Sequence, residues 1–503
     1  MLTEDPLFEL INSLTKSEKR YFRLYASRHT IGDENKYIIF FDHIQAYSGP
    51  KNQLYSYVEQ LPGIKNIAAY KHYLYKLILK SLHAFNAKSS VEAELQEQLH
   101  VLEILQEKKL FSQCLKLINK AKQQAIEHEK FSYLLEIIKV ENNISANRAF
   151  KIDVKQELNK FKNDYFETLE KLKNLYEYRS INDHVFLDLH INPRMSDAAK
   201  IKAIRKFLAN PLLRNKQMAL SFTALTRLYR INIVGYFILC DYNKVSAYTL
   251  DEIKTIETRT DFARNYSEQY FTAYCNLFVA NFYLRKLDLL PNILGKLKNI
   301  PTKNPNQKNN FFLIIFNLEI GFYNSIGQFK KSIELYLQNE EQVLELITKD
   351  KHREMEFYYC MGYAYMGLGK YDLSNKYMNK IVNNNFTGLE QDLYCLIRVI
   401  ALINNYELGN RDLLEYTIRS TYRFLVKKDR LYKYEKVLLA FIRNTLDESR
   451  PLVSAFKEVK SELLIVAEDK YENKAFLRFD FISWLNSKIH KKPFVEFVQA
   501  RVE

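Results

Sequence analysis

The sequence predicts an all-α protein, an α-solenoid of antiparallel helix pairs with a period of about 40–45 residues and an N-terminal helical module. Three observations predict it. The 503 residues include only 12 Gly and 10 Pro, little more than a third of the usual allowance of turn residues, whereas all-β folds need a turn roughly every ten residues. The composition is 47% hydrophobic and 14% aromatic, which is ample for a buried core and excludes a disordered chain. Apolar residues recur at helical spacing almost throughout, as in Tyr358, Met361, Tyr365 and Leu368, then Leu373, Tyr377 and Ile381.

Three regions are expected: a helical module over 1–90, the solenoid over 91–445 and capping helices over 446–503. In the module, Thr15 followed three residues later by Glu18 reads as a capping box opening a short helix rich in Lys and aromatics. A helix over 36–47, the turn SGPKN, a helix over 53–60 and another over 66–85 follow. This segment is similar to the start of a group of bacterial helical-repeat proteins, a likeness that implies a fold and no activity. The helix, turn and second helix also fit a helix-turn-helix, which makes a transcription-linked regulator the alternative function. QLYSYVEQ, however, brings two tyrosines and a Glu where a DNA reader needs Arg, Lys or Asn.

From residue 91 onward one pattern returns: a helix, a short turn of Gly or polar residues, an aromatic or apolar step and a second helix. The residue after each turn is Phe111, Tyr242, Leu287, Phe329, Tyr371 and Arg411 in order, with intervals of 45, 42, 42 and 40 from Tyr242 onward. A repeat of this size means a solenoid. The 131-residue gap between Phe111 and Tyr242 has room for about three more units. In the C-terminal region the lone Trp484 is expected on a helix that seals the last unit, with docking as its other reading.

YYCMGYAYMGLGKYDLSNKYMNKIV supplies Tyr358, Met361 with Gly362, Tyr365, Gly369, Ser374, Met378 and Ile381 in an order and spacing that resemble a tetratricopeptide repeat. The preceding unit keeps Phe316, Tyr323, Gly327, Ser332 and Tyr336, and the following one keeps Gly409. The period exceeds the usual length of that family, and Phe386 stands where its closing Pro belongs. The resemblance implies a right-handed superhelix whose inner wall is made by the first helix of each pair and suits an extended peptide or a partner helix. Carried onto this sequence, that wall comprises Arg227, Arg230, Phe237, Phe282, Asn317, Asn324, Tyr359, Tyr363, Met366 and Tyr406. Tyrosines there offer contact area with a polar tip, and Asn matches a backbone amide.

The formal charge is +15, concentrated as +7 over residues 181–300. Nine Lys or Arg against Asp197 lie between Pro193 and Arg230. Lys200, Lys202, Arg205, Lys206, Arg214 and Lys216 form the candidate patch for an anionic partner, with a solvated helix face as the plain alternative. Five widely spaced cysteines, Cys114, Cys240, Cys275, Cys360 and Cys395, read as buried thiols of a reducing compartment. The start MLTEDPLFELINSL has no signal-peptide pattern and no apolar run is long enough to cross a bilayer, so a cytoplasmic location is expected.

Catalytic and metal motifs do not assemble. In DHVFLDLH, Asp183 shares a face with His190 and His184 shares another with Asp188, so neither face gathers three ligands. Gly362, Gly367 and Lys370 lack the spacing of a phosphate-binding loop. The expected function is therefore a non-catalytic scaffold or adaptor that binds protein or peptide, with acidic character in the partner. Nucleic acid is the secondary partner, and no catalytic residue, metal, cofactor, small-molecule substrate or membrane span is expected.

Overall fold

Short polar side chains start the helices. Asp5 accepts from the N–H groups of Leu7 and Phe8, Thr15 and Glu18 form the capping box, and Ser90, Ser221, Asp241, Asn304 and Asp350 cap later helices. The computed structural model describes residues 5–28, 35–47, 66–86, 90–147, 154–191, 198–259, 265–384, 391–428, 431–445 and 452–502. Among the described residues every regular element is a helix, and no helix is long and apolar enough to cross a membrane. Two compact units, Met1–Lys173 and Asn174–Glu503, divide the chain.

In the first unit, α1 (Pro6–Ser13), α2 (Lys16–Ser27), α3 (Lys36–Ala46) and α4 (Ile67–Asn86) bury a core of their own around Phe22, Phe40, Phe41, Ile44 and Ile78. Each of these side chains contributes on the order of 1.5–3 kcal/mol by leaving water. The expected second helix of a helix-turn-helix, over 53–60, lies outside the described residues. α5 (Val91–Glu107), α6 (Phe111–Glu127) and α7 (Phe131–Asn147) follow, each packed on the next. The division between the units falls inside α8 (Val154–Ile191).

The gap between Phe111 and Tyr242 does not hold three equal pairs, because α8 alone takes 38 of its residues. The reason is local: the segment contains no Gly or Pro to stop it, and pairs such as Glu167 with Lys171, 2.6 Å apart, support it one turn at a time.

The second unit continues through α9 (Ala198–Leu208), α10 (Pro211–Arg214), α11 (Phe222–Ile238), α12 (Tyr242–Glu257), α13 (Ser267–Tyr283), α14 (Leu290–Lys298), α15 (Pro305–Ser325), α16 (Phe329–Gln338) and α17 (Glu340–Ile347). α18 (Lys351–Gly367), α19 (Tyr371–Asn383), α20 (Gln391–Glu407), α21 (Arg411–Lys427), α22 (Lys433–Asn444) and α23 (Leu452–Ala467) come next. The last three are α24 (Asn473–Arg478), α25 (Phe481–His490) and α26 (Phe494–Ala500). From α11 to α16, and again from α18 to α21, each helix packs on the next, and α15 and α16 both pack on α18. The largest buried cluster runs from Leu313 to Val498, so the helices beyond residue 445 share their core with those before it.

Seven turns share one geometry. Lys109, Glu129, Cys240, Arg285, Gly327, Gly369 and Gly409 occupy the left-handed region, with φ between 53° and 71°. Two residues after each, the next helical segment begins, at Phe111, Phe131, Tyr242, Leu287, Phe329, Tyr371 and Arg411. The intervening N–H reaches five residues back: Lys370 donates to the Tyr365 carbonyl at 2.9 Å and Lys286 to that of Asn281 at 3.0 Å. This is the Schellman ending, which satisfies helix carbonyls left without partners. All six sequence anchors stand at such a helix start. Phe131 is an added one, and Phe386 lies outside the described residues.

Side chains of α18 and α19 also meet across the two helices. Ser374 Oγ donates to the Gly362 carbonyl at 2.7 Å, and Met378 packs against Gly362. Gly367 lets two pairs approach, since a Cβ there stands 2.3 Å from the Phe329 ring.

Candidate functional site

Successive helices differ in how they are buried. α19 buries Ser374, Met378 and Ile381, and α21 buries Leu414, Ile418, Thr421 and Leu425, a single stripe in each case. α18 instead buries successive residues from Phe357 to Ala364. A helix apolar all round is covered all round. On α18 the further cover is the chain's own C-terminal segment.

Polar contacts fix that segment in place. Tyr359 Oη donates to the Arg478 carbonyl at 2.5 Å, and the Asp480 N–H points to Tyr363 Oη at 3.4 Å. Trp484 Nε1 donates to Glu407 Oε1 at 2.7 Å, and Lys488 pairs with the same carboxylate. Gln499 donates to the Gly327 carbonyl at 3.2 Å, Arg478 Nε to Tyr283 Oη at 3.4 Å and Lys470 Nζ to the Leu239 carbonyl at 2.7 Å. Trp484 is 1% exposed and edge-on to Tyr406, Phe441 and Phe456.

Between α13, α15, α18 and this segment lies a cavity of about 400 Å³, within the size range of small-ligand sites. Five of the ten residues expected on an inner wall line it: Phe282, Asn317, Asn324, Tyr359 and Tyr363. Burial pushes the Tyr359 and Tyr363 hydroxyls well above the ordinary tyrosine range, and pushes the Cys275 and Cys360 thiols in the same wall up to about 12. These groups are neutral donors at physiological pH.

The other five stand elsewhere. Arg230 Nε donates to Glu252 Oε1 at 2.8 Å, and Glu252 is 1% exposed. Burial raises the Glu252 carboxyl above its usual range, with Arg230 opposing. Arg227 is half-buried and reaches the Leu175 carbonyl at 3.4 Å. Both arginines are expected on the inner wall, but Arg230 is committed to a buried carboxylate. Phe237 stands edge-on to Tyr242, Met366 is 1% exposed and Tyr406 packs on Trp484.

Asn324 is expected on the inner wall, where its amide would match a partner's backbone. Its Nδ2 donates to the Cys360 carbonyl at 2.8 Å and its Oδ1 accepts from Ser332 at 2.8 Å, so it locks α15 to its neighbours. Asn317 differs. Its Nδ2 points to the Arg353 carbonyl at 3.4 Å and to Glu356 Oε2 at 3.5 Å, while its buried Oδ1 accepts nothing.

Sequence reasoning missed the charged lining, namely Arg285, Arg353, Arg478 and Arg501 with Glu356 and Asp480. One signal was present: Arg285 holds φ 59° at the turn position that Gly takes at three other turns.

Of the anionic-partner patch, Arg205 and Arg214 converge with Lys244 and Lys470 around a recess of about 360 Å³ that also includes Asp241. Lys202 and Lys206 are exposed, and Lys216 pairs with Asp251 at 2.7 Å. The Lys200 side chain lies outside the described residues, as do the side chains of 184–190 in the histidine-rich stretch. Among the described residues no group of three His, Cys, Asp or Glu gathers for a metal. Compared with family models, with curated proteins and with solved structures, the chain matches none.

Proposed function

We propose that this chain is a non-catalytic recognition protein, a right-handed solenoid of antiparallel helix pairs of the tetratricopeptide kind that receives polypeptide on its inner wall. The repeated Schellman turn and the packing of each helix on the next support the array. The observation that carries the binding role is that Tyr359 and Tyr363, on a first helix, already hydrogen-bond to backbone groups of Arg478 and Asp480. That is how a repeat groove engages an extended peptide, with aromatic side chains supplying contact area and main-chain groups supplying direction. The partner is a protein or peptide of acidic character, drawn by the +15 charge and the recess around Arg205 and Arg214. Five cysteines, none of them in a disulfide, fit a cytoplasmic setting.

Site-specific photo-crosslinking of the full chain tests this reading. A crosslinker at Phe282, in the cavity wall, captures a protein or peptide in cells, whereas one at Leu337, 60% exposed on α16, does not. Equal capture from both positions, or none from Phe282, defeats the assignment of the inner wall.

A further inference from the structure

Packing leaves two groups of the cavity unexplained. The first is Asn317 Oδ1, on a residue only 7% exposed, which lines the cavity and accepts no hydrogen bond. A buried acceptor left without a partner is costly, so a ligand N–H supplying the missing bond gains substantially.

The second is Arg285. It adopts a left-handed backbone that is strained for a residue other than glycine, and it places a guanidinium in the cavity wall. Burial and then the like charge of Arg501 hold that guanidinium below its ordinary range. Asp480 faces both arginines, but its Oδ1 is already taken by Arg501 at 2.8 Å and by the Ser483 N–H at 3.0 Å, and its Oδ2 by the Ser483 hydroxyl at 2.7 Å. Arg353 is matched by Glu356 at 2.9 Å. Two guanidiniums therefore share one carboxylate at the Arg285 end, which leaves positive charge in a partly buried cavity whose wall includes Phe271, Phe278 and Phe282.

We propose that this cavity is a ligand site for an acylamino carboxylate, a molecule joining a carboxylate, an amide N–H and an apolar body. The carboxylate meets Arg285 and Arg501, the amide N–H donates to Asn317 Oδ1, and the body lies against Phe271, Phe278 and Phe282. An N-acyl amino acid and the C-terminal residue of a short apolar peptide both carry this chemistry. The proposal deepens the recognition role above and rests on it only in using the same wall.

Calorimetric titration of the full chain tests it with N-hexanoyl-phenylalanine and N-acetyl-Leu-Leu-Phe, each as free acid and as C-terminal amide, and with decanoate, which has no amide. At least one free acid binds, its amide binds about tenfold or more weakly, the loss of one charge-assisted hydrogen bond, and decanoate binds severalfold more weakly than that acid, the loss of one neutral hydrogen bond. Arg285→Gly, which suits the backbone angle and so preserves the fold, weakens the free acid by a similar factor, as does Asn317→Leu. The better of the two acids tells a small metabolite from a peptide end. Absence of binding by either acid, equal binding of acid and amide, decanoate binding as tightly as the acids, or an unchanged affinity in Arg285→Gly each overturns the proposal. Crosslinking from Phe282 that persists in Arg285→Gly keeps the broader recognition role standing when this site fails.

Discussion

The Tyr359 hydroxyl donates to the main-chain carbonyl of Arg478 at 2.5 Å, a bond between residues 119 apart in sequence. It joins a first helix to the segment that closes the cavity. Tyr359→Phe keeps the ring and removes the donor, leaving a carbonyl short of its partner. The expected loss is about 1–2 kcal/mol in urea unfolding, with faster amide exchange over residues 473–490 than over α19. Unchanged exchange in that segment counts against the closure.

Arg230 and Glu252 form the second relationship open to test. Arg230→Met leaves Glu252 buried without its cation. The expected cost is about 2–4 kcal/mol, the lower part of the range for breaking a buried pair, because Arg230 is 38% exposed. Arg230→Met with Glu252→Gln should recover most of it.

A pH dependence follows from the same pair. Burial raises the Glu252 carboxyl in the folded state, so the native protein holds that proton more readily than the unfolded chain. Stability from this group is therefore full below the unfolded carboxyl value and is lost as pH rises through the folded one. Removing Arg230 leaves burial unopposed. The gap in urea midpoint between wild type and Arg230→Met should thus widen from about pH 5 to about pH 8.

The shared turn predicts opposite effects of opposite swaps. Gly369 holds φ 71° with open space around it, so Gly369→Ala should cost about 1 kcal/mol from backbone strain alone. Lys109, exposed at φ 59°, should gain up to about 1 kcal/mol as Lys109→Gly. Thermal melts of the two variants against wild type check both signs.

Gly367 acts by contact rather than by angle. Gly367→Ala drives a methyl into the Phe329 ring and should cost about 1–3 kcal/mol. Phe329→Leu in the same chain should make the two changes less than additive, which a double-mutant cycle in urea measures.

How far the sequence reached follows from which signals are local. The corners at Gly327, Gly369 and Gly409 were legible because Gly marks them. Those at Lys109, Cys240 and Arg285 carried ordinary residues and only the step after them showed, while Glu129 was passed over altogether. Among site residues, Phe282, Asn317, Asn324, Tyr359 and Tyr363 were found through helix position. Arg478, Asp480 and Arg501 were not, because their approach depends on a return of the chain over more than a hundred residues, which no spacing rule encodes. The near-continuous apolar surface of FYYCMGYA was the one local sign that something covers the inner face.

That returning segment has a mechanical meaning. By touching Leu239, Tyr283, Gly327 and Glu407, it ties together helices that lie far apart in the sequence. A row of hairpins coupled side to side unzips piecemeal from its ends. Tied in this way, the helices from Leu239 to Glu407 are expected to open together rather than one at a time.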